Sequence, residues 1–136
     1  MQVSEVMHKG VSTVQINDSL KKVAALMKKE DIGAVPVFKN ERPVGFVTDR
    51  DIVISCVAEG RKNEDPISLA MTREIIFVHE SDDLQIASKL MRENQVSRLL
   101  VVDQGQRPVG ILSLKDLARN IEDEKIQAQI MKEIKR

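Results

Sequence analysis

At 136 residues, with 21 Lys plus Arg balanced by 21 Asp plus Glu, the chain has room for one globular domain or two small ones sharing a core. A formal net charge of zero excludes a global basic field for nucleic acid or an anionic membrane. With no Trp, no Tyr and 3 Phe, it also lacks the aromatic platforms of base-stacking proteins, so its core must come from Val, Ile, Leu, Met and Ala. The opening MQVSEVMHKG has no apolar signal core, and no apolar run has the length of a bilayer span; a cytoplasmic location is expected.

Residues 3–7 read as a short helical lead-in, followed by a loosely alternating strand over 11–16. Asn17, Asp18 and Ser19 supply N-cap chemistry, and Leu20, Val23, Ala24 and Met27 fall at i, i+3, i+4 and i+7 of a helix. Strands are predicted over 34–38 and 43–47, joined by a turn at 39–42. Thr48 then opens a helix through about residue 58. A polar stretch broken by Gly60 and Pro66 reads as a linker over 60–66.

After it the same order returns. A second lead-in covers 67–71, a strand lies within 75–78, and Leu84, Ala87, Ser88 and Met91 mark a helical face. Strands over 97–102 and 108–112 flank the turn 103–107, and Ser113 opens the last helix. Met7, Val14, Asp18, Leu20 and Met27 align with Met71, Val78, Asp82, Leu84 and Met91 at a constant offset of 64. One extra turn residue shifts the offset to 65, so that Pro43-Val44-Gly45, Thr48 and Asp51 align with Pro108-Val109-Gly110, Ser113 and Asp116. The chain is an internal duplication, with units at 1–59 and 67–119 and a tail at 120–136. The expected fold is α/β (α+β): two tandem β-α-β-β-α motifs packed sheet to sheet with pseudo-twofold symmetry, because neither three-stranded sheet can cover both its faces alone.

The most pointed motif is Thr48-Asp49-Arg50-Asp51, repeated as Ser113-Leu114-Lys115-Asp116. At a strand-to-helix junction, hydroxyl and carboxylate three residues apart can form a capping box. The same groups suit a nucleotide, the hydroxyl beside a phosphate and the two carboxylate oxygens on a vicinal ribose diol.

The order of elements, the two copies of Gly-hydrophobic-hydrophobic-Thr/Ser-x-x-Asp (45–51 and 110–116), and the segments 32–37 and 96–103 resemble the cystathionine β-synthase-type (CBS) domain family over essentially residues 1–119. The resemblance implies a non-catalytic sensor with two clefts between paired motifs, taking AMP, ADP, ATP or S-adenosylmethionine, and it favours the ligand reading of the signature. It implies a first site with Thr48 and Asp51 on the ribose. Val11, Ser12, Ile32, Ala34 and Pro36 would line the base, and Arg98 and Lys115 would face the phosphates. The second site would use Ser113 and Asp116, with Ile75, Ile76, Val96 and Leu100 around the base and Arg50 as its cation. Since Ala34 stands where the second motif has Arg98, the Asp51 site is expected to hold phosphate more tightly. The resemblance further implies a homodimer, a disc of four motifs, with output through that dimer or a protein partner.

No resident cofactor is expected. His8 and His79 lack ligand spacing, Cys56 has no base partner and reads as a buried small hydrophobe, and no Gly-rich phosphate loop occurs. Asp82 and Asp83 suit a helix start, and Ile121, Ile126, Ile130, Met131 and Ile134 give the tail an amphipathic helical pattern. Nothing argues for an enzyme. The competing reading is a constitutive dimeric scaffold with vestigial clefts.

Overall fold

The computed structural model describes residues 1–120. In chain order its elements are β1 (His8–Lys9), β2 (Val14–Gln15), α1 (Leu20–Glu30), β3 (Ala34–Lys39), β4 (Arg42–Thr48), α2 (Asp49–Ile52), β5 (Phe77–His79), α3 (Leu84–Asn94), β6 (Arg98–Val102), β7 (Pro108–Ser113) and α4 (Leu114–Asn120). The β-α-β-β-α order thus appears twice, and short 3-10 turns at Val3–Glu5 and Ile67–Leu69 form the two lead-ins. The amphipathic helix expected over 120–136 lies, past Asn120, outside the described residues.

The chain folds into two compact units whose limits differ from those of the sequence repeats. Among the described residues one is Ser12–Ile75; the other combines Met1–Val11 with residues 76–120. Each lead-in therefore packs with the strands of the other repeat.

In the Ser12–Ile75 unit the sheet order is β2-β3-β4, with β2 parallel and β4 antiparallel to β3. Ser19 caps α1 by accepting the Lys22 N–H at 3.1 Å, and the helix stops at Asp31, whose φ of 53° is left-handed. Leu20, Val23 and Met27 recur on one face of α1 and are buried with Val35, Val37, Val47 and Ile67. Cys56 joins that cluster, 1 % exposed. The helix expected through residue 58 is α-helical only over Asp49–Ile52 and then widens into a π-type turn at Val53–Val57.

β2 is shorter than the strand expected over 11–16, and Pro36 accounts for one residue of the difference, since β5 in the second repeat begins one position earlier. Phe46 exchanges both its backbone hydrogen bonds with Thr72, so Pro36, its register partner on β3, faces β2. Proline offers no N–H there. At the corresponding point of the second repeat, Leu100 donates to the Ile76 carbonyl at 3.0 Å.

The other unit has sheet order β1-β7-β6-β5. Asp83 caps α3 through the Gln85 N–H at 2.9 Å, and Gln95, φ 54°, ends it. Leu84, Ala87 and Met91 pack with Leu99, Val101, Leu112 and Leu117, and Val3 from the lead-in completes the cluster. β1 was not expected from the sequence. It adds an antiparallel edge, His8 pairing with Ile111 and Lys9 with Gly110.

Candidate functional site

Both Thr/Ser-x-x-Asp signatures form complete capping boxes. Thr48 Oγ1 accepts the Asp51 N–H at 3.0 Å, and Asp51 Oδ2 accepts the Thr48 N–H at 2.9 Å. Ser113 Oγ accepts the Asp116 N–H at 3.1 Å, and Asp116 Oδ2 accepts the Ser113 N–H at 3.0 Å. Each box satisfies two backbone donors at the helix start and holds hydroxyl and carboxylate in one fixed arrangement. Oδ1 of each Asp accepts no hydrogen bond among the described residues, and both carboxyl groups are half-buried.

Sheet register sets the neighbours of each cap. In the Ser12–Ile75 unit Ala34 lies opposite Thr48, and the Asp49 N–H donates to the Gly33 carbonyl at 3.0 Å. Val35, Val37 and Val47 point into the helix-side cluster, so by strand alternation Ala34, Pro36 and Thr48 share the opposite face. Ile32 enters that strand, and Ser12 precedes β2. In the other unit Arg98 lies opposite Ser113, Leu100 opposite Ile111, and Leu114 N–H donates to the Ser97 carbonyl at 2.8 Å. Leu99, Val101 and Leu112 enter the core, leaving Arg98, Leu100 and Ser113 on the face away from the helices.

Thus one unit assembles Ser12, Ile32, Ala34, Pro36, Thr48, Arg50 and Asp51, and the other Ile76, Val96, Arg98, Leu100, Ser113, Lys115 and Asp116. Val11 and Ile75 are the last residues before the two crossings of the chain from one unit to the other. Arg50 and Lys115 are exposed; Arg98 is half-buried, its Nη1 donating to Ser97 Oγ at 3.2 Å.

One contact beside β2 escaped the sequence reading. Ser12 donates its hydroxyl to the carboxylate of Glu30, the last residue of α1. The available signal was an acid at a helix C-terminus, where the helix dipole disfavours it.

Among the described residues no group of three or more His, Cys, Asp or Glu side chains is placed to hold a metal ion, and no helix is long and apolar enough to cross a membrane. A hollow of about 330 Å³ lined by His79, Glu80, Ser81, Val102, Asp103, Gln104 and Gly105 lies at the far end of β6 from Arg98 and contains none of the expected site residues.

Comparison with known proteins agrees with this geometry. The CBS domain matches residues 3–57 and 66–123. The chain is 39% identical over 118 residues to the CBS domain-containing protein YhcV of Bacillus subtilis, covering 87% of this chain and 84% of that protein. It resembles the crystal structure of the CBS domain pair of MJ0100 in complex with 5-methylthioadenosine and S-adenosyl-L-methionine, at 28% identity and a TM-score of 0.72, covering 88% of this chain and 94% of that one. It also resembles CBSX2 in complex with AMP, at 25% identity and a TM-score of 0.68, covering 87% and 93%. Two motif matches in register with the two capping boxes make the assignment: the chain belongs to the CBS domain family, as a tandem pair of CBS motifs.

Proposed function

We propose that this chain, a member of a family of non-catalytic regulatory modules, is a sensor of an adenosine-containing ligand: AMP, ADP, ATP or S-adenosylmethionine. The observation that carries the reading is the pair of half-buried Asp51 and Asp116 carboxylates. Each is oriented by its own cap and retains an acceptor oxygen on the sheet end where the base-lining residues gather. An orientation fixed before the ligand arrives lowers the entropic cost of gripping a ribose diol. The ligands bound by MJ0100 and CBSX2 support the chemical class.

In this proposal Thr48 and Asp51 hold ribose and phosphate at the first site, with Ser12, Ile32, Ala34 and Pro36 around the base. Ser113 and Asp116 hold the second ligand, with Ile76, Val96 and Leu100 around the base. A homodimer belongs to the same proposal: Val53, Ile54 and Val57 are 56%, 47% and 68% exposed along one short helical stretch, an apolar edge suited to self-association. Occupancy acts on the protein only through a difference in affinity between its arrangements.

Thermal unfolding against the four ligands, in the wild type and in Asp51→Ala, tests this reading. A ligand present at about a hundredfold its Kd adds roughly 2.7 kcal/mol, a shift of about 8–11 °C for a chain of this size. The expected result is a shift with at least one ligand that collapses in the variant, each measured from its own ligand-free midpoint. A folded protein that shifts with none of them would be a scaffold whose caps serve only its helices.

A further inference from the structure

We infer that this chain pairs with a second copy of itself head to head, the Ser12–Ile75 unit of one protomer against the same unit of the other, across a two-fold axis that passes beside Ile54. The inference rests on the homodimer reading above and adds to it which repeat makes the contact and in which orientation.

The first argument is the shape of the helix. After Ile52 the chain leaves α-helical geometry: the Ala58 N–H donates to the Val53 carbonyl and the Arg61 N–H to the Cys56 carbonyl, both at 2.9 Å and both across five residues. Arg61 Nε–H braces the turn on the Ser55 carbonyl at 3.3 Å. A widened turn of this kind is uncommon inside a helix and concentrates at functional places. Here it keeps Cys56 in the core while Val53, Ile54 and Val57 stand exposed. All three are β-branched, with χ1 already restricted, so ordering them against a partner costs little entropy.

The duplication supplies the control. At the offset of 65, Val53 and Ile54 correspond to Ala118 and Arg119. Ala118 is buried in its own core cluster, Arg119 is exposed, and the chain stays α-helical over Leu114–Asn120. The second repeat thus completes its core at these positions without an exposed apolar edge, and packing within a unit does not account for the edge in the first.

Charge selects the occupant. Exposed Asp49 and Arg50 precede the edge and exposed Glu59 and Arg61 follow it, one charge of each sign at either end. A copy of the same surface therefore meets no net like charge, and its apolar centre carries a charged rim. The exposed face of α1 is the contrast: Lys21, Lys22, Lys28 and Lys29 would repel their own copies. Head-to-tail pairing of the two repeats would set Ile54 of one protomer against Arg119 of the other, taking a guanidinium out of water against apolar side chains. A two-fold axis buries the same edge on both copies and closes the assembly at two.

Sedimentation equilibrium and thiol cross-linking test the inference, with folding of each variant checked by circular dichroism. The wild type is expected to be a dimer. Ile54→Glu and Val57→Lys, both exposed changes that spare the core, should each raise the dimer dissociation constant by roughly thirtyfold or more, and Ile54→Leu should leave it within about threefold. With buried Cys56 left in place and the wild type as blank, a short bis-maleimide should join two copies of Ile54→Cys. It should form no mixed product between Ile54→Cys and Arg119→Cys. A dimer unchanged in folded Ile54→Glu and Val57→Lys, no cross-link in Ile54→Cys alone, or a mixed product with Arg119→Cys would each overturn the head-to-head arrangement and leave the homodimer standing. A wild type that stays monomeric at its highest soluble concentration would remove both.

Discussion

Phe46 and Thr72 exchange both of their backbone hydrogen bonds, Phe46 N–H to the Thr72 carbonyl at 3.0 Å and Thr72 N–H to the Phe46 carbonyl at 2.8 Å. The partners at the same place in the other unit are Ile111 and His8, which pair in β7 and β1. Each repeat's lead-in thus lies along the strand that ends in the other repeat's Thr/Ser-x-x-Asp cap. The glycine of each signature allows it: a Cβ at Gly45 would meet the Thr72 carbonyl oxygen at 2.1 Å, and one at Gly110 the His8 carbonyl oxygen at 2.6 Å.

Gly45→Ala and Gly110→Ala should therefore each destabilise the protein, by about 2–3 kcal/mol, because the obstacle is backbone and cannot rotate aside. Gly105→Ala, whose nearest neighbour would be Asp103 Oδ1 at 3.4 Å, should change stability by less than about 0.5 kcal/mol. Urea unfolding of the three variants checks the contrast. Equal stability in all three would mean that the lead-ins are not held against these strands.

The caps have a cost of their own, separate from any ligand. Thr48→Ala and Ser113→Ala each leave a helix-start N–H without its acceptor, the bonds of 3.0 and 3.1 Å, and should lower ligand-free stability by about 1 kcal/mol. Thr48→Ser, which keeps the oxygen, should recover most of it. Denaturant midpoints without nucleotide measure this term, and they give the baseline from which ligand shifts in Asp51→Ala are read.

Cys56 is 1 % exposed, and burial, the largest influence, raises its thiol pKa above the ordinary 9.0. The carboxylates of Asp65 and Asp51 push in the same direction and Arg61 opposes them. Because the folded value is the higher one, the thiol's contribution to stability is intact below 9.0 and is lost as pH climbs through the folded value. Unfolding at pH 8 and pH 10 should show wild type losing more stability than Cys56→Ala over that interval. Alkylation of the thiol at neutral pH should follow opening of the fold, with complete labelling only in denaturant.

Much of this protein is legible in its sequence because much of it is local. Ser19 and Asp83 as caps, and the helical faces of Leu20, Val23 and Met27 or Leu84, Ala87 and Met91, follow from spacings of three and four residues. So do the signatures at Thr48 and Ser113, whose two hydrogen bonds each span three residues. The duplication adds independent support, since the same local signals return 64 or 65 residues later. β2, which Pro36 faces without an N–H from more than twenty residues away, begins at Val14, one position later than its counterpart in the second repeat. Glu30 reaches Ser12 across 18 residues, a separation that no period of helix or strand reports.

The sequence by itself determined the two β-α-β-β-α repeats, their capped helices and the placing of each signature at a strand-to-helix junction, since these depend on backbone groups within a turn of one another. The tertiary structure alone decided which sheet each lead-in joins. Two repeats of the same element order present two similar strands, PVGFVT and PVGILS, and local propensity is much the same for both. The choice rests on long-range pairing, visible in the paths from His8 to Ile111 and from Thr72 to Phe46 and in the two glycines that let the chains approach.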